Sequence, residues 1–340
     1  MVKKVDLVGV GLNATDTVIH VSTFPQCGSK VEYEAETIMP GGQVATTVVA
    51  CQTWGLSSRY VGKLGDDDAS RLHQREFLRT GAEAHLINVA GAPSARSLIL
   101  LDRTGERTVL CRRDERLILQ PSELKREWIV NARALHVDGH DTAAATLAAR
   151  WAREAGVLVT ADLDDTYPGV HELLQNIDFL IVNHDFPFRF TGEPNLKSAL
   201  REMQRRFGSR LAAATLGHDG VLAWDGERFH YAPAFRVPVV DTTGAGDIFR
   251  AGFIYALLQG WPLPRCLDFS CAAAAINCMA EGARGGICSV EQIEAFMLST
   301  PRYEEPEDFA SFSSLLLEPA ATFPQPTENS KHQAASANPR

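Results

Sequence analysis

From residue 134 onward the chain alternates short β-branched segments with stretches of helical spacing, and no other feature limits its fold as strongly. Ala134 to Asp138, Val157 to Asp162 and Asp178 to Val182 read as strands. Thr142 to Ala155, closed by Gly156, His171 to Gln175 and Asn195 to Phe207 read as helices. Strands and helices at this spacing imply right-handed crossovers, a parallel sheet and helices on both of its faces. The expected class is therefore α/β with a mostly parallel central sheet. Polar residues gather at the strand ends: Asp138 and His140, then Asp162, Asp164 and Asp165, then Asn183 and Asp185. Open α/β sheets bind ligands there, although some of these residues must simply cap helices.

The bulk numbers narrow the function classes. A formal net charge of −9 over 340 residues argues against a general binder of nucleic acid or anionic membrane. No run approaches the roughly eighteen apolar residues of a membrane span. The start, Met1 to Val10, has its apolar run interrupted by Asp6 and reads as a first strand rather than a signal peptide. The seven cysteines are odd in number and lack Cys-x-x-Cys spacing, which suits reduced thiols in a cytoplasmic protein.

The run Asp241-Thr242-Thr243-Gly244-Ala245-Gly246-Asp247-Ile248-Phe249-Arg250-Ala251-Gly252-Phe253 carries the chemistry. It is preceded by Arg236 to Val240, which reads as a strand, and followed by a helix from Ile248 to Gln259. Gly244 and Gly246 leave room for backbone N–H groups to converge, and the helix dipole favours an anion there. Asp247 on the first turn can be a cap, or it can accept a proton from an attacking hydroxyl.

The whole run resembles the C-terminal signature of the ribokinase, or phosphofructokinase B, family of sugar kinases. Pro40-Gly41-Gly42 to Gly55, in register with Tyr60 to Asp67, resembles that family's N-terminal signature. Thr215-Leu216-Gly217-His218-Asp219-Gly220, an ordinary turn when read alone, resembles its nucleotide loop. The resemblance, spanning about residues 4 to 298, implies a ribokinase-like domain over residues 1–300 with a small β lid from about 17–39 and 97–113. It implies ATP-dependent phosphorylation of a hydroxyl, primary by expectation, on a sugar or sugar acid. Asp247 is then the general base, and Gly244, Ala245 and Gly246 form the anion hole. Asn183, Thr215, Gly217 and Gly220 fall to the nucleotide. Asn13, Asp16, Gly41, Gly42 and Asp138 fall to the sugar. Mg²⁺ accompanies ATP, and Asp241 with Thr243 marks a site for a monovalent cation such as K⁺. Exposed lid edges suggest a homodimer through the lid.

Two departures stand out. Thr46 replaces the family's usual Asn, and Phe186 stands where an Asn-x-x-Glu motif has its Glu. The alternatives are a nucleoside kinase of the same superfamily and a non-catalytic sugar- or nucleotide-binding homologue. Arg250, where the family has a small or neutral residue, has no role from the sequence. Beyond Pro301 the composition shifts to Pro, Glu, Ser and Ala, and 301–340 is expected to be a disordered tail.

Overall fold

The computed structural model describes residues 5–306 and Phe309. Nine strands form the main sheet: β1 (Val5–Val10), β4 (Ser58–Leu64), β5 (Glu83–Asn88), β8 (Ala132–Asp138), β9 (Leu158–Leu163), β10 (Phe179–Asn183), β11 (Leu211–Thr215), β12 (Val221–Trp224) and β13 (Phe229–Ala232). Their order is β13-β12-β11-β10-β9-β8-β1-β4-β5, parallel from β11 to β5 and antiparallel in the β11-β12-β13 meander. A second sheet, ordered β3-β2-β6-β7, combines β2 (Ala14–Val21), β3 (Tyr33–Gly41), β6 (Arg96–Leu101) and β7 (Arg107–Arg112). In this lid β2 pairs antiparallel with β3 but parallel with β6, whose hairpin partner is β7.

Helices cover both faces of the main sheet, as the alternation required. On one side lie α1 (Gln43–Thr53), α2 (Asp68–Thr80), α8 (Ala245–Leu258), α9 (Leu263–Asn277) and α10 (Val290–Ser299). On the other lie α3 (Arg126–Ile129), α4 (Thr142–Glu154), α5 (Val170–Leu174), α6 (Asp185–Thr191) and α7 (Leu196–Phe207). The period-two alternation of a strand divides the core: Ala212 and Ala214 of β11 pack on the α4–α7 side, Leu211 and Ala213 on the α8–α9 side. Among the described residues no helix is long and apolar enough to cross a membrane.

Three elements differ from expectation. Arg236 to Val240 is not a strand; its neighbour Phe235 makes one isolated bridge to Arg302, and Val240 and Asp241 both donate to the Cys278 carbonyl. Pro238 has no N–H to give a ladder, which explains the irregular path. The apolar run from Asp268 to Ala280 reads as a helix, but helix α9 begins five residues before Asp268, at Leu263, because Pro262 sets its N-cap. Finally, residues 301–306 continue along the domain: Arg302 bonds Asp268 and the Pro233 carbonyl, and Tyr303 N–H donates to Ala234. Residues 310–340, where most of the expected tail falls, lie outside the described residues.

Candidate active site

A cavity of about 900 Å³ opens at the C-terminal ends of the parallel strands. It is lined by Asp162 of β9, Asn183 of β10, Thr215 of β11, and the loop and first turn of α8, with Gly244, Ala245, Gly246, Asp247 and Arg250. The lid contributes Thr104, Gly105, Glu106 and Arg107 from the β6–β7 hairpin. Gly217 and Gly220 line the same cavity beyond Thr215.

The glycine loop has a definite construction. Gly244 sits at φ 74°, and a Cβ there would lie 2.5 Å from the Cα of Ala283, so only glycine fits. Asp241 ties two loops together: its Oδ1 accepts from Thr243 N–H and its Oδ2 from Gly282 N–H, each at 2.8 Å. Buried Asn277, at the end of α9, donates to the carbonyls of Thr243 and Ala283. The Thr243 hydroxyl is buried with no hydrogen-bond partner among the described residues. On the far side, Thr47 of α1 donates to the Asp247 carbonyl at 3.2 Å. Helix α8 then begins at Ala245, placing Asp247 on its first turn with the dipole's positive end toward the cavity.

Burial pushes the Asp247 carboxyl well above the usual range, and the nearby Asp162 carboxylate pushes it further; Arg250 opposes both. Asp162 itself is raised to about 7, by burial first, although Arg250 Nη2 lies 2.8 Å from its Oδ1. The Arg250 guanidinium also donates through Nε to the Ile181 carbonyl at 3.1 Å.

The residues assigned to the sugar lie elsewhere. Asn13, Asp16, Gly41, Gly42 and Asp138 do not line this cavity; Asp16 and Gly41 lie on lid strands β2 and β3, Asn13 and Gly42 at their ends against each other, and Asp138 at the end of β8. Asn13 donates its side-chain amide to the Tyr60 hydroxyl at 2.5 Å and the Lys63 carbonyl at 3.0 Å. Asp138 accepts from Leu12 N–H at 2.7 Å and His140 N–H at 3.0 Å. Asp16 packs against Gly41, and burial raises its carboxyl to about 6. Gly42 caps α1 at φ 92°. Thr46 accepts from Arg284 Nε at 3.1 Å; Arg284 also donates to the Gly41 carbonyl at 2.7 Å and pairs with buried Glu76. Phe186 points into the core, stacked on Phe190, while its neighbour Asp185 faces the cavity. The sequence signalled neither the Arg284–Glu76 pair nor the Arg250–Asp162 pair, since each joins residues far apart in the chain.

Comparison with known proteins places this geometry. The family model for pfkB family carbohydrate kinases matches residues 6–288. An ATP-dependent ribose-1-phosphate kinase of Halopiger xanaduensis is 29% identical over 293 residues, covering 83% of this chain and 94% of that protein. A 5-dehydro-2-deoxygluconokinase of Geobacillus kaustophilus is 26% identical over 282 residues, covering 76% and 84%. The ribokinase of Thermotoga maritima superposes with a TM-score of 0.75 at 25% identity, over 87% of this chain and all of that one. With its ribokinase-like sheet, its lid and its glycine loop, this chain belongs to the pfkB family of carbohydrate kinases, enzymes that transfer phosphoryl groups to alcohols.

Proposed function

We propose that this kinase transfers the γ-phosphoryl group of ATP to a primary hydroxyl of a sugar or sugar acid, with Asp247 as general base. The observation that carries this reading is the position of Asp247 on the first turn of α8, in the same cavity as the loop of Gly244, Ala245 and Gly246. The hydroxyl oxygen attacks phosphorus in line, its proton passes to the Asp247 carboxylate, and the loop amides steady the charge on the phosphoryl oxygens. Such a reaction asks for positioning more than covalent chemistry. Asn183, Thr215, Gly217 and Gly220 would hold the nucleotide, and Asn13, Asp16, Gly41, Gly42 and Asp138 would shape the sugar site.

The metal ions fit unequally. Asp164 and Asp185 face the cavity, but among the described residues no group of three or more metal-ligating side chains gathers. Mg²⁺ would therefore ride on the ATP phosphates, neutralising their charge. Thr243, with its unpartnered buried hydroxyl beside Asp241, suits a monovalent cation such as K⁺.

The acceptor is found by coupled detection of ADP across ribose, ribose 1-phosphate, fructose, 5-dehydro-2-deoxygluconate, fructoselysine and aminoimidazole riboside, the substrate types in the names of kinases similar to this chain. ADP release that depends on one of the sugars supports the reading. A response to the riboside alone moves the protein to the nucleoside kinases.

A further inference from the structure

We propose that Arg250 is a second active-site residue, an arginine supplied by the chain itself that donates to the phosphoryl group as it crosses the glycine loop. The proposal rests on the reading that Asp247 and the loop amides form the reaction centre. Arg250 follows Asp247 by three residues on α8, so both side chains leave the helix on one face. Its guanidinium is buried, and two of its three nitrogens are anchored to the sheet: Nη2 against Asp162 of β9 and Nε on the Ile181 carbonyl of β10. Nη1 donates no hydrogen bond among the described residues, and it lies over the anion loop: a Cβ built on Gly246 would sit 2.6 Å from it. Arg250, Gly246, Asp247 and Asp162 all line the same cavity.

A buried charge is costly unless it is paired, and a guanidinium kept only for packing would have its remaining donor satisfied by the protein. Here the anchors fix the planar fork and leave one N–H₂ group toward the place where phosphate oxygens arrive. Planar guanidinium suits that task, presenting fixed donors to phosphoryl oxygen. The absence of a side chain on Gly246 has the same consequence, since any Cβ would displace Nη1. Arg250 has a second effect through charge. Asp247 faces Asp162 from β9, Asp16 from β2 and Arg107 from β7, besides Arg250 on its own helix. Arg250, together with Arg107, pulls the Asp247 carboxyl back down against burial and Asp162, and Arg250 would also offset charge on the incoming phosphoryl group.

The test uses the full-length enzyme, MgATP and the acceptor giving most ADP in the panel above, with Arg250→Met, Arg250→Lys, Asp162→Asn and Asp247→Asn compared from pH 5 to 9. Arg250→Met is expected to lower kcat about a hundred- to thousand-fold while KM for MgATP changes by less than about threefold. Arg250→Lys keeps the charge without the fork and recovers only part of that loss. The acid limb of the kcat/KM profile moves to higher pH in Arg250→Met and to lower pH in Asp162→Asn. A residue serving stability alone would not shift the two limbs in opposite directions. Turnover within about threefold of wild type in both Arg250 variants, with unshifted limbs, overturns the proposal. Should Arg250→Met show no cooperative melting, the Arg250→Lys and Asp162→Asn results decide. Full turnover in Asp247→Asn instead removes the base reading, separately from Arg250.

Discussion

At the scale of single residues, the behaviour of Asp247 follows from the charges around it. Its carboxyl is raised by burial and by Asp162, and a base must be ionised to accept a proton. Activity should therefore fall on acidification at a pH well above the ordinary carboxylate range, which a kcat/KM profile measures directly. An acid limb near pH 4 would mean that Asp247 faces water, not the buried acids assigned to it. Gly244→Ala is a second residue-scale case: φ 74° and the Ala283 backbone leave no space for a methyl group. The strain should cost about 1–3 kcal/mol, seen as a lower midpoint in urea, with turnover reduced as the loop shifts. Asp247 and these glycines were legible in the sequence because the turn and helix start lie within a few residues. Arg250 was not, because its partner Asp162 is a strand end brought close only by the sheet. Thr46 was visible as a departure, but the Arg284 guanidinium bonded to it comes from a loop at the other end of the chain.

Elements were legible where their own residues decided them, and misread where a distant partner did. Thr142 to Gly156 shows both its spacing and its glycine stop, and the helix forms within one residue of that reading. Arg236 to Val240 has strand composition, yet Arg236 N–H donates to the Pro301 carbonyl and Val240 N–H to the Cys278 carbonyl rather than to a neighbouring strand. Phe186 stands out in the sequence as a departure from the Asn-x-x-Glu motif; the structure turns it to the core, where Phe190 stacks on it. The lid hairpin offers an element-scale prediction. Its tip, Gly105 at φ 85°, packs against Val239, while Arg107 donates to the Thr242 hydroxyl. Gly105→Ala should loosen this tip at a local cost of about 1 kcal/mol, speeding amide exchange over residues 102–107 with little change in global melting. Unchanged exchange there would show that the tip is not held by this contact. Removing residues 301–306 together with everything after them should lower the melting temperature and weaken ATP binding, because Arg302 pairs with Asp268 and Tyr303 lines the cavity.

For the molecule as a whole, the buried acids set the pH dependence of stability. Asp162 titrates at about 7 and Asp16 at about 6, both above their unfolded values near 4, so the folded state holds these protons more tightly. Their contribution is complete below about pH 4 and is lost as pH rises through 6 and 7. The free enzyme should thus melt at a lower temperature at pH 8 than at pH 5.5, and Asp162→Asn should flatten that slope. A flat or rising slope between these pH values would mean that Asp162 and Asp16 do not set it, since acids such as Asp67, held at about 2 against burial by Ser94 and Arg96, change stability only below about pH 5. The mostly parallel sheet, the two helical faces and the glycine turn that opens a helix could all be anticipated from the chain. The separation of the expected sugar residues from the lining of the main cavity could not, because it depends on the pairing of β2 with β3 and on where β8 ends. The central claim is that Asp247 takes the proton from the acceptor, and single-turnover phosphoryl transfer by Asp247→Asn tests it most directly. With the variant folded and MgATP bound as tightly as in the wild type, transfer should slow about a hundred- to ten-thousand-fold. Transfer at the wild-type rate would contradict it.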